Sequence, residues 1–262
     1  MTSEELSSFF TQQKEDWPLA SRNYAALVEV NRKPFKAGGL EGFVEFNPAR
    51  ALSTLAKVDR ETIRQRECFL CKNHRPEEQL SLPLLDGEFE LLVNPYPVVE
   101  QHFTIASTKH DRQRFLAETG YQLAAELPGM VVFFNHAGAG ASAPDHLHYQ
   151  AVPKESLPLI KILEENGERH LPFKIYEKPE DFNLTEEPLN AFFWKTLNQD
   201  FRGVVVRRKA HRPVCFYREP PLRRAVSPGA IDIAGRIIIP CEDDFNLITD
   251  KEIEAIFREV AH

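Results

Sequence analysis

The sequence is poor in several residue types, and these shortages exclude classes of protein. Among 262 residues there are 4 cysteines, 2 tryptophans and 12 glycines. Four cysteines are too few for a disulfide-rich scaffold, and a chain of this length buries enough apolar surface to fold without cross-links. The densest apolar run, residues 130–134, is too short to cross a bilayer, so no membrane is expected as a partner.

Positive charges are outnumbered by negative charges. The chain has 32 Lys and Arg residues against 39 Asp and Glu residues, which gives a net charge of −7. Nucleic acid is therefore not an expected partner, although a local basic pocket for a small phosphorylated ligand is compatible with this balance. Residues 1–5 are acidic and polar, unlike a secretory signal, which predicts a cytoplasmic protein with reduced thiols.

Alternating helical and strand patterns predict an α+β fold. Helices are predicted at residues 3–15, 157–165 and 189–197. A further helix is predicted between Asp111, which would cap its start, and Pro128-Gly129, which would end it. The last predicted helix follows a capping box at Thr249 and Glu252. Strands are predicted at residues 24–30, 42–46, 89–93, 102–106, 130–134, 146–152, 203–206 and 236–239.

The chain is expected to form a single compact domain, residues 1–262, with two related halves. No linker or low-complexity tract interrupts it. Residues 103–112, which end in Lys-His-Asp-Arg, resemble residues 204–212, which end in Lys-Ala-His-Arg. This internal similarity predicts a half at 1–155 that carries the functional site and a second, degenerate half at 156–262.

The most informative segment is residues 145–150, Asp-His-Leu-His-Tyr-Gln. Because side chains alternate along a strand, His146, His148 and Gln150 are predicted to share one face. The preceding loop, residues 136–143, is rich in Gly, Ala and Ser, which let backbone N–H groups approach an anion closely. This combination predicts phosphate chemistry with a neutral imidazole as the nucleophile. The alternative is an amphipathic strand whose exposed histidines have no task.

A Cys-x-x-Cys pair, Cys68 and Cys71, is followed closely by His74. Two thiolates at this spacing can share a zinc ion, which needs two further ligands from elsewhere in the chain. No thioredoxin-like βαβ pattern surrounds the pair, which disfavours a redox role. The alternative is two reduced, buried cysteines. Cys215 and Cys241 are isolated and are predicted to be core residues.

Basic residues near and within the second half could supply positive charge to a phosphate acceptor. Each of them alone is more typical of a solvated surface charge. They are Lys154, Arg207, Arg208, Lys209, Arg223 and Arg224.

The His-x-His-x-Gln motif at residues 146–150 resembles that of the histidine-triad superfamily, in its galactose-1-phosphate uridylyltransferase-like branch. Residues 138–142, 227–232 and 235–240 resemble the diadenosine tetraphosphate phosphorylases (ATP adenylyltransferases), and residues 146–151 resemble the GDP-hexose phosphorylases. Residues 94–97, Asn-Pro-Tyr-Pro, resemble the corner on the nucleotide side of this superfamily. The resemblance covers about residues 68–245 and implies an antiparallel sheet with flanking helices.

The resemblance also implies roles for individual residues. His148 would be the nucleophile that takes the nucleotidyl group, and Gln150 would hydrogen-bond the phosphate. The resemblance also implies that three residues of the loop bind phosphate: Gly138, Gly140 and Ser142. At the proline-rich corner, Asn94 would bind the nucleotide. The sequence departs from the family at Asp145, because relatives usually have proline just before the motif.

Relatives often carry a structural zinc held by a cysteine pair, a histidine that ends the following strand and the first histidine of the motif. The resemblance therefore implies zinc as a cofactor. The matching ligands are Cys68, Cys71, His110 and His146, with His74 and His102 as rivals.

The predicted function is that of a nucleotidyltransferase or phosphorylase. Its substrate would be a small nucleotide, either a dinucleoside polyphosphate or a nucleoside-diphosphate sugar, cleaved through a nucleotidyl-histidine that phosphate or a phosphorylated acceptor captures. One alternative is a zinc-dependent phosphohydrolase with His146 and His148 on one ion, and another is a catalytically silent nucleotide sensor. Histidine-triad folds often dimerise, so the resemblance also allows a homodimer.

Overall fold

The structure is a computed structural model that describes residues 1–51, 60–165, 170–177, 182 and 187–262. Its helices in these ranges are α1 (Ser3–Asp16), α2 (Pro18–Ala25), α3 (Arg60–Gln65), α4 (Ala117–Glu126), α5 (Pro158–Glu164), α6 (Ala230–Ile233), α7 (Glu242–Leu247) and α8 (Asp250–Val260). The strands are β1 (Asn31–Ala37), β2 (Leu40–Phe46), β3 (Ser81–Leu84), β4 (Phe89–Val93), β5 (Phe103–Ser107), β6 (Met130–Asn135), β7 (His148–Pro153), β8 (Leu189–Lys195), β9 (Phe201–Arg207) and β10 (Arg236–Ile239).

A seven-stranded antiparallel sheet carries the motif strand at its centre. The strand order is β3-β4-β5-β7-β6-β8-β9. Strand β7 lies between β5 and β6, with Gln150 opposite Thr104 on one side and Phe133 on the other. The motif is therefore held on both sides by backbone ladders rather than at an edge.

A second, three-stranded sheet has the order β1-β2-β10, in which β10 runs parallel to β2. The two segments approach closely at Gly42, where an added Cβ would lie 2.1 Å from the carbonyl oxygen of Gly235. Only glycine at this position allows the contact, which joins the N-terminal hairpin to the C-terminal part of the chain.

Two apolar cores cover the two faces of the large sheet. One packs against the three-stranded sheet and α8, and the other against α1, α2 and α4. Tyr149 and Ala151 of the motif strand enter the second core, whereas Val152 enters the first. The alternation along β7 therefore places His148 and Gln150 on the face that the three-stranded sheet covers.

The α+β class is confirmed, and so are most of the predicted helices. The predictions at residues 3–15 and 157–165 correspond to α1 and α5, and the capping box at Thr249 and Glu252 begins α8. The cap at Asp111 is wrong: α4 begins only after Leu116, and that position makes no side-chain capping bond.

Two predicted elements are wrong in type. Residues 24–30 continue α2 and a 3-10 turn instead of forming a strand, which follows at β1. Residues 189–197 form β8 instead of a helix. Both faces of β8 are buried, so its apolar run lacks the alternation that marks a half-exposed strand. The other predicted strands are confirmed, although β7 begins at His148 and not at His146.

The two isolated cysteines lie nearer the surface than the sequence predicts. Cys241 is exposed, so its assignment to the core is wrong, and Cys215 is half-buried. Within the described ranges, no helix combines the length and the apolar character that crossing a bilayer requires.

Candidate active site and Cys/His cluster

A cavity of about 550 Å³ lies over the face of the large sheet that carries the motif. His148 and Gln150 line it from β7, and Ile238 lines it from β10. Its volume suits a ligand of nucleotide size, because pockets for small molecules commonly enclose a few hundred cubic ångströms.

His148 is buried, and its hydrogen bonds fix the state of its ring. Nδ1 lies 2.8 Å from the carbonyl oxygen of His146, and the His148 backbone N–H donates to the side-chain oxygen of Gln113 at 2.8 Å. Burial lowers the pKa of His148 to about 4, so the ring is neutral near pH 7. Since a carbonyl only accepts, Nδ1 carries the proton and Nε2 keeps the lone pair that a nucleophile needs.

Gln150 is oriented by a second histidine. The Nε2 atom of His102 lies 2.8 Å from Oε1 of Gln150. Burial and the charge of Arg50 lower the pKa of His102 to about 3, so this ring is also neutral. Because the amide oxygen only accepts, Nε2 of His102 is the donor. The NH₂ group of Gln150, a double donor, is then available to an anion in the cavity.

The small-residue loop reaches the cavity with part of its length. Gly140, Ala141 and Ser142 line it, whereas Gly138 does not. Gly140 has a φ of +96°, and a Cβ there would lie 2.7 Å from Cα of Gly229. Glycine is required at position 140 for two reasons: the backbone there is left-handed, and it lies too close to the loop before α6 to leave room for a side chain.

Asn94 lines the cavity at the proline-rich corner after β4. Its side-chain oxygen accepts from the backbone N–H of Tyr96 at 2.9 Å, and its amide donates to the hydroxyl of Thr104 at 3.2 Å. These bonds close the corner and keep Asn94 beside the motif face.

Several polar residues that line the cavity were not singled out as site residues in the sequence. They come from distant segments: Arg50, Arg66, Asn135, His211, Arg212, Ser227 and Asp232. Ser227 and Asp232 belong to the segment that carried the family resemblance, but the arginines had no local signal. Burial raises the pKa of Asp232 to about 6, and backbone N–H groups of Gly229 and Ile238 donate to its carboxylate.

The basic residues that the sequence did suggest lie elsewhere, since Lys154, Arg207, Arg208, Lys209, Arg223 and Arg224 do not line this cavity. Arg208 is buried and donates to five oxygens, four of them backbone carbonyls and one the side chain of Asn190. Arg207 lies over the ring of Tyr176. These contacts stabilise the fold around β9.

The four residues matched to a metal site come together beside the cavity. The ligand atoms of Cys68, Cys71, His110 and His146 all lie within 4.8 Å of one another. Sγ of Cys71 is 3.2 Å from Nδ1 of His110, and Sγ of Cys68 is 3.3 Å from Nδ1 of His146. Ligands of a tetrahedral zinc ion are separated by about 3.5 Å, so this Cys/His cluster has the donor set and spacing for zinc.

The two thiols of the cluster differ in acidity. Burial alone would raise the pKa of Cys68, but its hydrogen bonds with His146 and with two backbone N–H groups lower it to about 6, whereas burial and the neighbouring Cys68 raise the pKa of Cys71 to about 11. His146 donates from Nε2 to the carbonyl oxygen of Ser107 at 2.8 Å, which leaves Nδ1 facing the sulfur atoms. A carbonyl oxygen that accepts from the other ring nitrogen in this way fixes the orientation of a ligating imidazole.

The two rival ligands lie outside the Cys/His cluster. His74 points its Nδ1 at the carbonyl oxygen of Cys68, at 3.2 Å. His102 is engaged with Gln150. Asp145 forms an ion pair with Arg66 at 2.7 Å.

Fold and site together define an α+β protein with a seven-stranded antiparallel sheet, a buried motif histidine in a cavity and an adjacent Cys/His cluster. The chain belongs to the family described as "Domain of unknown function (DUF4922)", whose model matches residues 9–153. No curated protein matches the sequence.

Solved structures match over nearly the whole chain. Yeast Ap4A phosphorylase Apa2 aligns with a TM-score of 0.60 and 17% identity, covering 95% of this chain and 96% of that chain. The same yeast enzyme in complex with Ap4A aligns with a TM-score of 0.59 and 18% identity, covering 95% of this chain and 97% of that chain. Its complex with AMP aligns with a TM-score of 0.56 and 18% identity, covering 95% of this chain and 96% of that chain. These matches show that the chain has the fold of this yeast enzyme, and the predicted α+β fold with an antiparallel sheet is thereby confirmed.

Proposed function

We propose that this protein is a nucleotidyltransferase or phosphorylase that works through a covalent nucleotidyl-histidine at His148. The observation that carries the proposal is a neutral, buried imidazole whose Nε2 lone pair is available in a nucleotide-sized cavity. A neutral imidazole attacks phosphorus readily, and it also leaves readily from the phosphoramidate that forms.

The reaction has two displacements. Nε2 of His148 attacks the α-phosphorus of the nucleotide, and the bond from that phosphorus to the bridging oxygen breaks as the distal phosphate-bearing group leaves. An oxygen of the acceptor phosphate then attacks the same phosphorus, and the phosphorus–nitrogen bond breaks to restore the imidazole. The Gln150 amide and loop N–H groups near Gly140 and Ser142 would stabilise the charge on the non-bridging oxygens.

The proposed substrate is a dinucleoside polyphosphate or a nucleoside-diphosphate sugar. The fold is that of a yeast enzyme named as an Ap4A phosphorylase, whose structures hold AMP and Ap4A. The mixed lining of the cavity supports such a ligand, since apolar walls from Leu70 and Phe133 face polar groups from the C-terminal segment.

We also propose that the Cys/His cluster binds a structural zinc ion. Support comes from the donor set of two sulfur and two nitrogen atoms, the spacing of these atoms and the oriented ring of His146. When bound, zinc would tie the segment at residues 68–71 to the segment that leads into β7. The reduced thiols that such a site requires agree with the expected cytoplasmic location.

The metal-hydrolase alternative needs His146 and His148 on one ion. The structure instead turns Nδ1 of His146 toward the sulfur atoms and bonds Nδ1 of His148 to a carbonyl oxygen. This divergence favours separate tasks for the two histidines.

Intact-protein mass spectrometry with a neutral quench tests the proposal, because phosphohistidine is labile in acid. The protein is mixed, without acceptor, with a diadenosine polyphosphate, a GDP-hexose or a UDP-hexose. An AMP, GMP or UMP adduct that maps to His148 is expected, and the adduct identifies the nucleobase. Ligand binding without adduct or turnover would instead favour the sensor, and metal-dependent turnover without adduct would favour the hydrolase.

A further inference from the structure

Arg66 is a cationic residue of the cavity wall that the proposed function has not used. Its guanidinium pairs with the carboxylate of Asp145 at 2.7 Å and lies over the ring of Phe69, 4.8 Å from the ring centre. Both Arg66 and Phe69 line the cavity that holds His148. The side chain is therefore fixed on two sides while it faces the ligand space.

The position of this ion pair follows from the Cys/His cluster. Arg66 precedes Cys68 by two residues, Asp145 directly precedes His146, and Cys68 and His146 are in contact at 3.3 Å. The ion pair thus runs beside the cluster and joins the same two segments. Contacts that hold the Cys/His cluster together therefore also hold the guanidinium of Arg66 at the cavity wall.

The pair explains the unusual residue before the motif. A carboxylate next to a phosphate site is unfavourable unless it is neutralised, and Asp145 is neutralised by Arg66. Two of the five N–H bonds of Arg66 are engaged in the contacts that the structure describes, with Asp145 and with the carbonyl oxygen of Glu67. The remaining donors suit phosphate, whose oxygens match the planar fork of a guanidinium.

We propose that Arg66 binds the phosphate group that leaves from, or attacks, the phosphorus opposite His148, and that Asp145 holds the guanidinium in place. The identity of that phosphate rests on the proposed function. The anion site itself does not, because inorganic phosphate can be tested as a ligand without any turnover.

The experiment is a ³¹P NMR titration of the full-length protein with inorganic phosphate. Arg66→Gln is expected to weaken binding at least about tenfold, since it removes a charge-assisted pair of hydrogen bonds. Asp145→Asn keeps an acceptor for Arg66 and removes a negative charge, so binding should be equal or tighter. Arg64→Gln is the matched control, because Arg64 is exposed and does not line the cavity.

Two results would overturn the proposal: no phosphate binding by the wild type, or unchanged binding by Arg66→Gln. Thermal unfolding checks that the variants are folded. If Arg66→Gln does not fold, Arg66→Lys keeps the charge without the fork and is expected to bind phosphate with an intermediate affinity.

A parallel measurement separates this proposal from the proposed function. AMP lacks a leaving phosphate, so its affinity should be the same in the wild type and in Arg66→Gln. If the wild type forms no adduct with any donor, the nucleotidyl-histidine mechanism fails, while the phosphate titration still decides the role of Arg66. If the adduct forms, its capture by phosphate should show a KM for phosphate at least about tenfold higher in Arg66→Gln.

Discussion

The Cys/His cluster and the cavity each contain one histidine of the same motif, and the two rings have opposite electrostatic environments. Hydrogen bonding and charge from Cys68 raise the pKa of His146 against the effect of burial, whereas burial lowers the pKa of His148. His146 lies just before β7 and turns toward the sulfur atoms, while His148 begins the strand and faces the cavity. A change from loop to strand within three residues thus gives two similar side chains different environments, which agrees with the separate tasks proposed for them.

Removal of each imidazole in turn should have the largest effect and should separate the two histidines. His148→Ala should lower the rate of adduct formation by at least about a thousandfold, because the proposed nucleophile is lost. The same variant should keep the proposed zinc and its unfolding temperature. His146→Ala should lose the metal, which elemental analysis of the purified protein measures. Adduct on His148→Ala, or full metal content in His146→Ala, would contradict the separation of tasks.

Removal of a sulfur ligand tests the cluster alone. Cys68→Ala should lose zinc and lower the free energy of unfolding on the order of 3 kcal/mol, because metal binding adds to folding stability. Cys215→Ala is the matched control, since Cys215 is half-buried and far from the cluster in sequence. Urea unfolding with and without a chelator measures both effects. A chelator that shifts the two variants equally would show that the cluster holds no structural metal.

The loop that leads to the motif offers a sharper test of the cavity side. Gly140→Ala should cost about 1–3 kcal/mol of stability and weaken nucleotide binding, since alanine meets both a positive φ and the Gly229 backbone. Gly138→Ala is the control, because the nearest atom to its added Cβ is a proline side-chain carbon at 3.2 Å. Thermal unfolding and nucleotide titration should separate the two variants. Equal behaviour would mean that the contact at Gly140 relaxes without cost.

The Cys/His cluster was more predictable from the sequence than the cavity wall. The cluster has a local signal, the spacing of Cys68 and Cys71, and the family resemblance supplied two histidines that the structure brings beside them. The cavity wall is built from residues as far apart as Arg50 and Asp232, which meet only because β2 and β10 pair. Long-range strand pairing leaves no periodic pattern in a single sequence, so the position of Arg50 in the same cavity as Asp232 could not be predicted.

The same limit applies to the fold. Elements with one buried face or a clear cap, such as α1 and α8, were predictable from periodicity and capping residues. Strand β8 was not, because Phe192 and Phe193 enter opposite cores and its pattern is apolar on both faces. Its identity is set by its position between β6 and β9, which only the assembled sheet defines.

The smallest expected effect concerns His102, which orients Gln150 from inside the protein. Its pKa is about 3 in the folded state against an ordinary value of 6.5, because burial and Arg50 disfavour the charged ring. Below pH 6.5 the unfolded chain binds a proton that the folded chain does not, so this residue lowers stability as the pH falls toward 3. The loss is at most about 1.4 kcal/mol per pH unit. His102→Gln removes the titration but can still donate to Gln150, so urea unfolding at pH 7.5, 6.5 and 5.5 should show a shallower decline for the variant. Parallel declines would mean that the ring of His102 becomes protonated inside the fold.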